Sequence, residues 1–310
     1  MLQVIMKDDI VNNFDLLPSI AEIEQIITEI KNTDLSKVSF NKLFRKIQSL
    51  QFIAFPTAIL NEGYHIERSR INKPDEIFYS EKDISYRTDF ENITKYGRAN
   101  TIGNSLFYGS FQSETIEHPR LVNLLETSEI FRNLEDNEIT DADFVMTVGK
   151  WKIMSNIEVV EVVFDEDCIK NSKEVEKAFT YHLERLKTDH PKHVDQFELI
   201  LRFFSNEFAK KNINSHYDYM ISAIYSFLAI DMGRHKGIKY QSVKTDYKGN
   251  NIVLTPTVIE NSLKLEIVAM FRVIKNQKET VIIPVKICTD FGTMNTNFTW
   301  KDIEQKTIQL

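Results

Sequence analysis

Apolar residues recur at helical spacing early in the chain. Ile20, Ile23, Ile26, Ile27 and Ile30 fall on one face, and Pro18 suits a first-turn position, where no backbone N–H is needed. A second amphipathic segment begins near Ser39, a side chain suited to cap a helix start. It puts Phe40, Leu43, Phe44, Ile47 and Leu50 on its buried side. Each segment has a single apolar stripe, which predicts helices that pack on a larger body. Residues 1–54 are therefore read as a helical N-terminal region resting on the main domain, the alternative being a docking surface for a partner protein. Phe55-Pro56 and Gly63 end the helical pattern. HIERSRIN then alternates as a short strand with Ile66, Arg68 and Arg70 on one face. Residues 72–96 read as a polar, tyrosine-containing loop.

Further on, an acidic loop is expected over 133–143, followed by TVGKWKI and by IEVVEVVF, a convincing strand. Three amphipathic helices come next. The first carries Val175, Phe179, Leu183 and Leu186; the second Val194, Phe197, Leu201, Phe204 and Phe208; the third Tyr217, Met220, Ile224 and Phe227, with Gly233 as its C-terminal cap. The last quarter turns to strands: GIKYQSV, then NIVLT after a Gly249-Asn250 turn. LKLEIVAMFRV should pair with TVIIPVKIC through the turn Lys275 to Lys278. There is no repeat, low-complexity tract or long linker. The pattern predicts an α+β protein in which residues 55–310 form one domain with a helical insertion.

Composition narrows the function classes. The 310 residues are 42% hydrophobic and 27% charged, an ordinary globular balance. A net charge of −7 argues against a nucleic-acid binder, which needs a basic face. Cys168 and Cys288 show no metal-type spacing and read as small buried hydrophobes in a reduced compartment. The acidic residues directly after MLQVIM do not suit a signal peptide, and apolar stretches such as 223–230 are too short to span a bilayer. A cytoplasmic protein with no membrane partner is the expectation.

The familiar catalytic motifs are missing. His182, His190 and His193 do not align as ligands because His190-Pro191 breaks the helix, and HExxH and paired CxxC motifs are absent, so no metal is expected. There is no GxSxG elbow, P-loop or GxGxxG. What stands out is GRANTIGNSLFYGSFQSETIEHPRLVNLLE, residues 97–126, with Arg68 and Arg70 before it and Ser242 after it. Arginines can grip a pyrophosphate bidentately. Tyr108 can stack on a departing ring. A carboxylate near the ribose can stabilise an oxocarbenium-like transition state. A serine can orient the same ribose. That set suits cleavage of an N-glycosidic bond in a pyrophosphate-bearing nucleotide such as NAD, whose leaving group is already cationic.

These segments resemble the RES domain family, named for an arginine, a glutamate and a serine. The resemblance runs from about Phe55 to Asn261, through RSRIN, YGRAN, SLFYGSF, LLETS, GKWKI and GIKYQSVKTDYKGNNIVL. Position by position, the family's arginines fall on Arg68 and Arg98, its tyrosine on Tyr108 and its serine on Ser242. Its glutamate falls on Glu126 at a helix start, if an insertion (roughly SETIEHP) is allowed, with Glu114 and Glu117 as alternatives. Gln241 stands where the family more often has Pro. The resemblance implies an ADP-ribosyltransferase-like mixed or antiparallel β core. It also implies an NAD-degrading enzyme, glycohydrolase or phosphorylase, with NAD as substrate. In that role Arg68 and Arg98 hold the phosphates, Tyr108 packs on nicotinamide, Glu126 stabilises the ribosyl cation and Ser242 orients the substrate. Members act as toxins, many beside an antitoxin partner. Protein ADP-ribosylation, or a partner-regulated nucleotide sensor without turnover, are the alternative expectations.

Overall fold

The computed structural model describes residues 17–51, 53–128, 131, 141–276, 279–291 and 297–304. In chain order, helix α1 (Ile20–Lys31) starts at a capping box: Ser19 accepts from the Glu22 N–H, and the Glu22 carboxylate accepts from the Ser19 N–H. Pro18 thus precedes the cap and does not occupy the first turn. Helix α2 (Phe40–Gln48) is capped by Ser39 as the sequence predicts. Strands β1 (Thr57–Leu60) and β2 (His65–Ile71) follow. The stretch expected to be loop contains a short helix α3 (Glu81–Ile84). Then come β3 (Phe107–Phe111), α4 (Pro119–Thr127), β4 (Ala142–Ile153) and β5 (Ile157–Glu161). Helices α5 (Glu166–Asn171), α6 (Lys173–Asp189), α7 (Val194–Phe208) and α8 (Met220–Phe227) form the helical insertion. The chain ends with β6 (Gly237–Gln241), β7 (Asn250–Leu254), α9 (Pro256–Ser262), β8 (Leu263–Lys275), β9 (Thr280–Cys288) and β10 (Lys301–Asp302). Most of the acidic segment 133–143 and part of the turn from Lys275 to Lys278 lie outside the described residues.

The protein is thus mixed α+β, with ten strands among the described residues. It divides into two compact units that interleave in sequence. One comprises Ile59–Thr88, Ser105–Ile157 and Lys244–Leu310; the other comprises Met1–Ala58, Asp89–Asn104 and Glu158–Val243.

The first of these is organised by antiparallel strands in the order β7-β3-β2-β4-β8-β9-β10. The hairpin of β8 and β9 forms as expected, from Lys275↔Thr280 to Val268↔Cys288, with an irregularity at Met270/Phe271. Helix α4 covers one face, closing an apolar cluster of Leu124, Phe131, Met146, Val148 and Val273. Helix α3 lies on the opposite face, where its Ile84 is 1% exposed. Alternation along β2 and β4 fixes which side chains each helix meets.

In the other unit, β5 and β6 run parallel, with Val160↔Ile238 and Glu161↔Lys239. The helical stripes interlock here: Ile23, Ile30, Leu43 and Ile47 are fully or almost fully buried. Phe40 and Phe44 meet Phe227 edge-on at 5.9 and 5.8 Å. Ile20, by contrast, stays 42% exposed. After α8 the chain widens into a π-helical turn, Leu228–Met232, before Gly233. Gly233 ends the helix with φ near −80°, so its role is not a left-handed cap. A Cβ there would sit 2.7 Å from the Ala229 carbonyl, and close approach is what demands glycine.

Sequence patterning missed a buried charge cluster in this unit. Glu161 receives a hydrogen bond from His182 Nε2 at 2.9 Å and an ion pair from Lys239 at 2.8 Å. Lys239 also reaches Glu174 at 3.0 Å. Leu183 was expected on the inner face of α6, yet His182 is the buried neighbour, at 6% exposure. Burial alone would raise the Glu161 carboxyl, but His182 and Lys239 outweigh it and hold it at about 2. Burial alone would lower the Lys239 ammonium, and Glu161 and Glu174 raise it instead. A carboxyl held below its unfolded value of 4.5 stabilises the fold fully above that value and progressively less as pH falls towards 2. Glu161→Gln leaves Lys239 with Glu174 as its one carboxylate among the described residues and should cost about 3–5 kcal/mol at neutral pH in urea unfolding. The gap to wild type should narrow between pH 4.5 and 2, and a gap that is flat with pH would remove this assignment.

Candidate functional site

Strand alternation sorts the residues of β2 onto two faces. Arg68 and Arg70 point towards α3, and Glu67 and Ser69 point towards α4. The Arg68 residue is half-buried. Its Nε donates to the carbonyls of Ile84 (3.1 Å) and Ser85 (3.2 Å), its Nη1 donates to the Tyr108 carbonyl (2.6 Å), and its guanidinium lies over the Phe107 ring at 5.4 Å. No carboxylate among the described residues pairs with it. Burial first, and then the neighbouring Arg70 charge, lower its pKa to about 10, so it remains a cation at neutral pH. Arg70 is exposed, donates to the Asp83 carbonyl and stacks over Phe78 at 5.1 Å.

The space for this arrangement comes from Gly149, directly opposite Arg68 in β4. A Cβ there would fall 2.5 Å from the Trp151 ring and 2.9 Å from Ile84 Cδ1. Trp151 is itself anchored, its Nε1 donating to Glu81 at 2.8 Å.

The α4 face carries a different set. Glu67, Ser110 and Asn251 lie opposite one another across β2, β3 and β7, and all three are more than nine-tenths buried. Asn251 Nδ2 donates to Glu126 Oε1 at 3.0 Å. Asn123 Nδ2 donates to the Glu67 carbonyl at 2.9 Å, and Arg120 stands 3.9 Å from Glu67 Oε1. Glu67 Oε2 and Ser110 Oγ have no hydrogen-bond partner among the described residues. Tyr108, two residues from Ser110 on the same strand, shares this face. Strand β3 runs past Tyr108 to Phe111, which is what brings Ser110 into the row.

The expected site residues are therefore not gathered as a single cluster. Tyr108 and Glu126 lie on the α4 face, whereas the Arg68 side chain is on the α3 face, where it donates to the main chain of Tyr108. The cause is parity: Phe107 and Gly109 share the side of Arg68, and Tyr108 and Ser110 take the other. Glu126 was expected at a helix start but sits in the last turn of α4, because Pro119 already opens that helix as its first residue. Glu114 and Glu117 are exposed between β3 and α4.

Arg98 and Ser242 belong to the other unit. Arg98 donates to the carbonyls of Phe208 and Lys210 and lies over Tyr219 at 5.0 Å. Tyr96, His216 and Tyr217 form an adjoining aromatic stack within that unit. Ser242 is fully buried one residue beyond β6, and so is not in the strand that the sequence predicted for it. Among the described residues neither end of the neighbouring Gln241 amide, buried at 4% exposure, has a partner. Asn251, Asn123 and Glu67 were missed by sequence reading. Their one signal was an asparagine or a glutamate at an inward position of an otherwise apolar element.

Among the described residues no three His, Cys, Asp or Glu gather as metal ligands, and no helix is long and apolar enough to cross a membrane. Comparison of the sequence with protein-family models and with curated proteins finds no match. Replacing Gly149 by Ala should cost about 1–3 kcal/mol through overpacking against Trp151 and Ile84. A shifted denaturant midpoint would show it, and an unchanged midpoint would mean that the Arg68 surround yields without cost.

Proposed function

We propose that this chain is an NAD-consuming enzyme that cleaves the nicotinamide–ribose bond, on an ADP-ribosyltransferase-like β core. The observation that carries the reading is on the α4 face. A half-buried carboxylate, Glu126, is held by an amide on the face that carries Tyr108 and a row of buried polar groups, two of whose oxygens lack partners among the described residues. A fixed carboxylate, hydroxyls and an aromatic ring on one face suit a ribose bearing a flat leaving group. The carboxylate stabilises the positive charge that develops on the ribosyl carbon, and the ring packs on the departing nicotinamide. No strong general acid is required, because the pyridinium leaves as a neutral molecule.

In this reading Arg68 acts through the main chain. Its three carbonyl contacts fix the strand that carries Tyr108, and its uncancelled charge adds a positive field that favours an anionic substrate. The bidentate phosphate grip that the family resemblance assigns to it would require the guanidinium to leave those carbonyls. The phosphate and substrate roles of Arg98 and Ser242, which belong to the other unit, rest on the resemblance alone.

Purified protein incubated with NAD, with and without phosphate, should release nicotinamide. Phosphate dependence would name the acceptor, and unmodified candidate proteins would exclude transfer to a protein. Glu126→Gln should lower kcat by roughly a hundredfold or more while thermal unfolding stays close to wild type. Arg68→Lys should raise KM and lower stability together, since an ammonium cannot fork across three carbonyls. A Glu126→Gln protein with wild-type turnover would overturn the reading.

A further inference from the structure

We infer that Asn251 is the positioning residue of the reaction centre: it holds the Glu126 carboxylate in its working orientation and does not itself touch the substrate. The inference rests on the proposed reaction at Glu126. The amide is in turn fixed by its strand. Asn251 is 6% exposed, pairs across β3 with Ser110 in register, and its Nδ2 reaches Glu126 Oε1 at 3.0 Å. Glu126 closes the last turn of α4, where a long side chain has several rotamers open to it. A hydrogen bond from a buried, rotamer-locked amide to a charged acceptor selects one of them.

The chemistry favours an amide for this task. It donates without carrying charge, so it orients the carboxylate and does not itself neutralise it. A lysine or arginine there would pair with Glu126 and quench the charge it needs. A hydroxyl could hold the carboxylate but would rotate freely. The row continues through Ser110 of β3 to Glu67 of β2, so the next two strands on that side each place one polar side chain in line with Asn251 on the same face.

The test measures kcat and KM for NAD, by nicotinamide release, in wild type, Asn251→Ala, Asn251→Asp and Glu126→Gln, with thermal unfolding of each. Asn72→Ala is the control for loss of a buried amide elsewhere in the same unit; Asn72 accepts from Thr147 and donates to the Glu76 carbonyl. Asn251→Ala should lower kcat about 10- to 100-fold with KM changed less than about threefold. The control should stay within about twofold of wild type. Asn251→Asp, nearly isosteric and so expected to fold, sets a second carboxylate against Glu126. Its turnover should fall further at pH 7.5 and recover in part towards pH 5, as the facing carboxyls share a proton. An Asn251→Asp profile parallel to wild type, or an Asn251→Ala kcat within twofold of wild type while Glu126→Gln is inactive, would overturn the inference and leave the reaction standing. Wild type that releases no nicotinamide would remove the reaction itself, and with it this role for Asn251.

Discussion

A guanidinium withdrawn from water has to find acceptors for its N–H groups, and that requirement shapes the middle of the antiparallel unit. Arg68 meets it with three main-chain carbonyls, from Ile84, Ser85 and Tyr108. To bring two of them within reach, α3 must lie close against β2 and β4. That closeness leaves no room for a side chain at position 149, and the Trp151 ring fills what remains, tied to α3 through Glu81. One buried cation thus sets the path of a helix, the composition of a strand and the seat of the Tyr108 backbone. Carbonyl dipoles satisfy its hydrogen bonds but leave its charge uncancelled.

The parallel-strand unit solves the same physical problem in the opposite way. Lys239 is buried as well, but it is enclosed by Glu161 and Glu174, and His182 completes the group. There carboxylates answer the cation directly, and the cluster ties β5, β6 and α6 together. The contrast is between a cation met by carboxylates and one met by main-chain carbonyls.

Periodicity made the elements legible. The stripe of α1, the Ser39 cap, the alternation of β2 and the β8–β9 pairing all appear where the spacing puts them. Local signals of this kind are carried by neighbours in sequence. Features set by distant partners stayed hidden. Nothing near Asn251 in the chain reveals that it meets Glu126 from α4, and nothing near His182 reveals Glu161 on β5. The candidate residues were picked for the chemistry of their side chains, and the faces they occupy follow from strand parity and register. A three-residue difference in where β3 ends, Tyr108 or Phe111, decides whether Ser110 joins the row. Gly233 shows the same limit, since its need for glycine arises from the Ala229 carbonyl and not from its own φ.

That the acceptors around Arg68 are peptide groups has an evolutionary consequence. Every residue has a carbonyl, so the amino acids at 84, 85 and 108 can drift without deleting a single partner of the arginine. Drift at those positions alters packing or surface chemistry while the clamp persists. The arrangement therefore buffers the cation against genetic change in its own contacts. Selection can then vary the ring at 108 independently of the charge beside it.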